Sequence, residues 1–123
     1  MFRMNKIFSQ TLFKNKVNIV TGGGTGIGFG VAKGLVELGS KVVIASRKQE
    51  TINEAVEKLK PHCTEDAEIL GLTCDIRNRD SVAELVSETL LKYGQLDGLC
   101  NNGGGQFTSK GDKKTFYDLY AAL

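Results

Sequence analysis

The segment Thr21-Gly22-Gly23-Gly24-Thr25-Gly26-Ile27-Gly28 constrains this chain more than any other. A short apolar run, Val17-Asn18-Ile19-Val20, leads into it. Phe29-Gly30-Val31-Ala32-Lys33-Gly34-Leu35-Val36-Glu37-Leu38, which reads as a helix, leads out. Strand, glycine turn and helix in that order form a device for binding phosphate. Residues without a Cβ let the backbone turn sharply and approach a ligand closely. The N-terminus of the helix then offers unpaired N–H groups and a partial positive charge to a pyrophosphate. The dinucleotide spacing G-x-G-x-x-G has no match here. The pattern present is T-G-x-x-x-G-x-G, with Gly22, Gly26 and Gly28 at its fixed glycines.

Downstream, strands and helices alternate. Gly39 is placed to end the first helix in a left-handed conformation, and the β-branched run Lys41-Val42-Val43-Ile44-Ala45-Ser46 predicts a buried strand. Between Gln49 and Leu59, the residues Ile52, Ala55, Val56 and Leu59 share one helical face, and Pro61 stops that helix. Glu68-Ile69-Leu70-Gly71-Leu72-Thr73-Cys74 predicts a third strand ending at Asp75. Ser81 and Glu84 have the spacing of a capping box, with Asp80 or Asn78 as alternative caps. The helix that follows carries Val82, Leu85, Val86, Thr89 and Leu90 on one side and ends at Gly94. Leu96-Asp97-Gly98-Leu99-Cys100-Asn101 predicts the fourth strand. Such alternation implies a parallel sheet with right-handed crossovers. The expected fold class is therefore α/β, a Rossmann-type doubly wound sheet that is incomplete, with about four strands and flanking helices.

Composition removes other classes. The 123 residues suit one domain, and a net charge of +2 without aromatics interleaved in a basic patch argues against nucleic acid as a partner. No apolar run approaches the ~20 residues of a membrane span. Cys63, Cys74 and Cys100 are odd in number and lack C-x-x-C spacing, which fits free thiols in a reducing compartment. His62, the only histidine, reads as a surface residue, and no metal site is expected. Arg3, Lys6, Lys14 and Lys16 precede the first acidic residue, Glu37. Residues 1–15 read as an arm leading into the first strand, with a mitochondrial presequence as the alternative.

The second strand ends in Ser46-Arg47-Lys48, about 20 residues beyond the glycine loop, where this fold meets the adenosine ribose. An acidic residue there would bind the 2′-hydroxyl of NAD, whereas a cation accommodates the 2′-phosphate of NADP. No carboxylate stands at this tip, and the planar fork of Arg47 suits phosphate. The expected cofactor is NADP(H). The alternative is a solvated charge pair opening the next helix.

With these motifs, residues 16–107 resemble the dinucleotide-binding half of the short-chain dehydrogenase/reductase family. The resemblance implies that Asp75 lines the adenine pocket and Ile76 packs on the ring, although Asp often serves simply as a turn cap. It implies that the side chains of Asn101 and Asn102 tie the fourth strand to its neighbours and that Gly103, where relatives usually carry Ala, admits the cofactor ribose. The cofactor-binding set so implied is Gly22, Thr25, Gly26, Ile27, Gly28, Ser46, Arg47, Lys48, Asp75, Ile76, Asn101, Asn102 and Gly103.

Within the family, Val43-Ile44-Ala45-Ser46-Arg47-Lys48, Cys74-Asp75-Ile76-Arg77-Asn78 and Asn101-Asn102-Gly103-Gly104-Gly105-Gln106-Phe107 look like the peroxisomal trans-2-enoyl-CoA reductases, with the 2,4-dienoyl-CoA reductases as near relatives. That resemblance implies NADPH-dependent reduction of fatty enoyl-CoA, a peroxisomal location (mitochondrion or cytosol as alternatives) and a homo-oligomer for the full-length protein. Two departures matter. No Tyr-x-x-x-Lys, the family's catalytic pair, occurs in these 123 residues, so no catalytic residue is assigned and the chain alone is expected to be inactive. Residues 108–123 read as an irregular tail, and Leu96 to Cys100 are expected to leave an open apolar sheet edge. A non-catalytic nucleotide-binding or interaction module is the alternative function.

Overall fold

The computed structural model describes residues 7–104. Its elements run β1 (Val17–Thr21), α1 (Gly26–Glu37), β2 (Lys41–Ser46), α2 (Gln49–Leu59), a 3-10 turn (Lys60–His62), β3 (Glu68–Thr73), α3 (Arg79–Tyr93) and β4 (Gly98–Cys100). All strand pairs are parallel, and the sheet order is β3-β2-β1-β4. The chain winds outward from β1 to β3, then crosses back to place β4 on the other side of β1. That reversal opens a crevice at the carboxyl ends of β1 and β4, the position where open α/β sheets bind ligands.

The strands explain the two layers of core. Alternate side chains of β1 and β2 point to opposite faces. Val20, Val42 and Ile44 pack with Ala32 and Val36 of α1 and with Ile52, Ala55 and Leu59 of α2. Ile19, Val43 and Ala45 pack on the other face with Cys74 and with Leu85 of α3. Helices on both faces make β2 apolar from Val42 to Ala45 rather than alternating.

Several element boundaries differ from expectation for local reasons. The first helix begins at Gly26, not Phe29, because the end of the glycine turn already closes a helical turn in which the Phe29 N–H donates to the Thr25 carbonyl. Gly39 ends it as expected, at φ +93°. The cap of α3 is Asn78, whose Oδ1 accepts from Asp80 N at 2.9 Å and Ser81 N at 3.2 Å. Ser81 lies inside the helix instead, and its hydroxyl accepts the Asp75 N–H at 3.0 Å. On α3 only the Leu85–Thr89 line is buried, while Val82 and Leu90 are exposed, so the expected apolar side is wider than its contact. Cys74 is buried just past β3, whereas Cys100, in β4, is only half-buried. His62 is exposed, with its Nδ1 3.3 Å from Glu37. Residues 105–123, including the Gly105-Gln106-Phe107 motif and the expected tail, lie outside the described residues, as does the start of the N-terminal arm.

The strand β4 is short and pairs only with β1 among the described residues, leaving Leu99 57% exposed. Its entry is fixed by polar contacts. Asp97 N donates to the Val17 carbonyl, and Val17 N donates back to Asp97 Oδ2, each at 2.8 Å. Beside it, the Asn18 amide donates to the fully buried Ser40 hydroxyl at 2.8 Å. The Asn18 Oδ1 then occupies the space that a Cβ at position 98 would need.

Two expectations follow. Gly98→Ala forces Asn18 or β4 to move, and overpacking of this kind costs about 1–3 kcal/mol; a lowered urea midpoint would show it. The Asp97 carboxyl is held below its ordinary range, chiefly by the Val17 N–H and next by Gln95. A depressed folded-state pKa stabilises the fold above the unfolded value of about 4, and the effect is lost as pH falls through the lower folded value. Asp97→Asn therefore yields a shallower fall of stability below pH ~4 in denaturation series.

Candidate cofactor site

The crevice is built around the tip of β1. Thr21 is 5% exposed, and its hydroxyl accepts the Gly103 N–H at 2.8 Å while donating to the Cys100 carbonyl at 3.2 Å. This one side chain binds the end of β1 to the segment leaving β4. Gly22 follows at φ +65°, a left-handed conformation that glycine adopts without penalty. Its carbonyl accepts the Asn102 amide at 3.4 Å. A Cβ at position 28 would overlap that same carbonyl oxygen and lie 2.6 Å from Asn102 Nδ2. Gly22, Gly28, Asn102 and Gly103 are thus brought together, with Ile76 Cδ1 within 3.2 Å of where a Cβ on Gly103 would stand.

The start of α1 is open for a ligand. Thr25 occupies the cap position with extended backbone, but its hydroxyl makes no capping hydrogen bond, and no acidic residue lies in the first turn. The orphan N–H groups of a helix start are therefore left uncapped by side chains here. Space beside Gly26 is empty to 4 Å around a hypothetical Cβ, and Ile27 is 80% exposed. Uncapped donors, free space and the positive end of a helix dipole suit a pyrophosphate.

The adjoining rim carries charge. Ser46, Arg47 and Lys48 leave β2, with the two cations exposed. Past β3, Asp75 Oδ1 accepts the Arg77 N–H at 3.0 Å, forming an Asx turn, and the Arg77 guanidinium grips both oxygens through Nε and Nη2, each at 2.9 Å. The Arg77 hydrogen bonds lower the Asp75 pKa to about 2, so the carboxylate is ionised at any working pH. Asp75 does form the turn cap that its residue type suggests; Ile76 beside it is exposed. Asn102 ties β4 to the glycine loop, whereas Asn101 is exposed and makes no such tie among the described residues.

Three contributors escape the sequence pattern: the Thr21 hydroxyl, the Ser81 hydroxyl on Asp75 N, and the Arg77 fork. The Thr21 contact joins segments 82 positions apart, whereas Ser81 and Arg77 reach Asp75 within the one segment that links β3 to α3. No His, Cys, Asp or Glu cluster suited to a metal occurs among the described residues. Nor is any described helix long and apolar enough to cross a membrane. Thr21→Val keeps the side-chain shape but strands the Gly103 N–H. We expect a loss of about 0.5–1.5 kcal/mol, measurable by urea denaturation, the net worth of a hydrogen bond at a half-buried donor.

Comparison with known proteins agrees with this geometry. A family model described as short chain dehydrogenase matches residues 16–122. The peroxisomal 2,4-dienoyl-CoA reductase of Danio rerio is 40% identical over 107 residues, covering 85% of this chain and 35% of the relative. The tropinone reductase-like 3 protein of Erythroxylum coca is 43% identical over 90 residues, covering 73% and 34% respectively. The chain thus spans about a third of the length of these relatives. Among solved structures, a short-chain dehydrogenase/reductase from Mycobacterium ulcerans superposes with a TM-score of 0.72 at 36% identity, covering 76% of this chain and 34% of the other. A metagenomic short-chain oxidoreductase in complex with NADP superposes with a TM-score of 0.69 at 29% identity, covering 76% and 41%. With the T-G-x-x-x-G-x-G loop at the switch point of a parallel sheet and a family match along most of its length, this chain belongs to the short-chain dehydrogenase family.

Proposed function

We propose that these residues form the NADP(H)-binding part of an oxidoreductase that reduces the double bond of fatty trans-2-enoyl-CoA thioesters. The observation that carries the cofactor reading is the tip of β2, where Arg47 and Lys48 are exposed and no carboxylate stands. Arg47 offers the 2′-phosphate a planar, permanently charged fork. The uncapped start of α1 at Gly26, Ile27 and Gly28 holds the pyrophosphate, with Gly22 and Thr25 shaping the turn. Ser46 and Lys48 flank the ribose phosphate, Asp75 and Ile76 border the adenine, and Asn101, Asn102 and Gly103 border the second ribose. When bound by these residues, the cofactor would supply the hydride that such a reduction needs.

The substrate reading rests on the resemblance of the Cys74–Asn78 and Asn101–Phe107 motifs to enoyl-CoA reductases. The name of the zebrafish relative, a 2,4-dienoyl-CoA reductase, lies in the same substrate class and makes dienoyl-CoA the alternative. It also supports a peroxisomal location. Exposed Leu90, Leu91 and Leu99 on α3 and β4 favour burial against further chain or a second copy, in keeping with a homo-oligomer for the longer protein. Proton delivery belongs to groups outside these residues, since no Tyr-x-x-x-Lys is present.

The test is a titration with NADPH and NADH followed by cofactor fluorescence, for the chain and for Arg47→Ala. Loss of a charge-assisted hydrogen bond worth ~1.5–3 kcal/mol lowers NADPH affinity by roughly 10- to 150-fold. NADH affinity changes little. Equal losses for both cofactors would make Arg47 a structural residue and end the NADP reading.

A further inference from the structure

Two arginines compete for one carboxylate at the rim of this site. The strands β2 and β3 pair in parallel with Ser46 opposite Thr73, and Cys74 N still donates to the Ser46 carbonyl at 2.8 Å. Arg47 and Asp75 therefore leave the tips of neighbouring strands, which run about 4.8 Å apart. Charges so placed attract, and Arg47 contributes to the depressed pKa of Asp75. Yet they form no salt bridge. Arg77 takes both carboxylate oxygens with its fork and adds its backbone N–H to Oδ1. An ionised carboxylate has about four acceptor sites, so these three contacts leave little room for a second guanidinium. Arg47 is exposed and has no hydrogen bond or salt bridge among the described residues.

We propose that Arg77 is a specificity-determining residue: by occupying Asp75 it prevents that carboxylate from capturing Arg47, and so keeps the Arg47 guanidinium available for the 2′-phosphate of NADP(H). The inference rests on the reading of Arg47 given above. Arg77 acts through Asp75 and Arg47, as a positioning residue. Without it, Arg47 swings onto Asp75, and the phosphate must first break that pair. NADH, which brings no phosphate to this point, is spared the competition.

The experiment measures the ratio of NADPH to NADH affinity for the full chain and for Arg47→Ala, Arg77→Ala, Asp75→Asn and the double variant Asp75→Asn/Arg77→Ala. Both cofactors carry the same adenine, so any contact between Asp75 and the ring cancels in the ratio. Arg77→Ala should lower it about three- to fivefold, the size of one exposed ion pair. The double variant should restore it to within about twofold of the parent, because the competing carboxylate is gone. An unchanged ratio in Arg77→Ala overturns the proposal. So does a double variant that stays as low as Arg77→Ala, which would make Arg77 a direct phosphate ligand.

Side-chain nitrogen NMR of the cofactor-free chain provides a second readout. Arg77→Ala should slow exchange of the Arg47 Nε–H with solvent as it pairs with Asp75, and Asp75→Asn should abolish that change. Absence of the new pair overturns the proposal whether or not cofactor binds. Failure of the underlying reading has a different signature: Arg47→Ala would leave the parent ratio unchanged while the NMR experiment still showed the exchange of partners.

Discussion

The first turn of α1 lies so close to the end of β1 that a methyl group at position 28 would overlap the Gly22 carbonyl. The rest of the site depends on this approach. It brings the helix start over the crevice between β1 and β4 rather than beside it. It also leaves the Gly22 oxygen within reach of the Asn102 amide, so helix, glycine turn and β4 exit share one contact point. Thr21 adds the second fastening, since its hydroxyl bridges Gly103 N and the Cys100 carbonyl. A helix dipole favours an anion only within its first turn. Fixing that turn at the reversal of strand order therefore aims the helix start into the crevice, a placement that suits an anion.

Charge around the crevice follows the same economy. The opening of α1 has neither an acidic residue nor a side-chain cap to compete with an incoming phosphate. Asp75 is ionised and borders the region, yet its carboxylate is spent on Arg77. The exposed cations at the end of β2 form no salt bridge among the described residues, because the nearby Asp75 carboxylate is paired with Arg77. An anion arriving from solvent thus meets donors whose protein acceptors have been directed elsewhere.

The fold was legible because its signals are redundant. Val42, Val43, Ile44 and Ala45 form a continuous apolar run because helices cover both faces of β2, and Ile52, Ala55 and Leu59 repeat at helical spacing because one face of α2 is buried. Legibility failed where a residue has two partners to choose from. Ser81 has the spacing of a cap, but the Asp75 N–H claims its hydroxyl and Asn78 caps instead. Glycines carry no periodicity, which hid the start of α1 at Gly26. At the site, the glycine spacing and the cation at the end of β2 could be read directly, because both are local requirements of backbone and charge. The Thr21 bridge spans more than 80 positions to Gly103, and a contact of that kind leaves no trace in a local pattern.

Support across the crevice is unequal, and this bears on what the described residues can do. The tips of β1 and β2 belong to strands with a neighbour on each side, and they sit above cores in which Val20, Val42 and Ile44 are fully buried. The far wall rests on β4, which has one partner, three residues and an exposed Leu99. Rigidity follows packing and hydrogen bonding, so local opening is easiest at such an edge. In the proposed site the pyrophosphate and adenosine ends of a dinucleotide lie over the tips of β1 and β2, the well-supported strands, and reach the longer edge strand β3. In that proposal the reactive end lies towards β4, the less supported strand. Recognition of the cofactor and positioning of its chemistry are thus divided along the sheet in this proposal, with the better-packed strands under the first of the two.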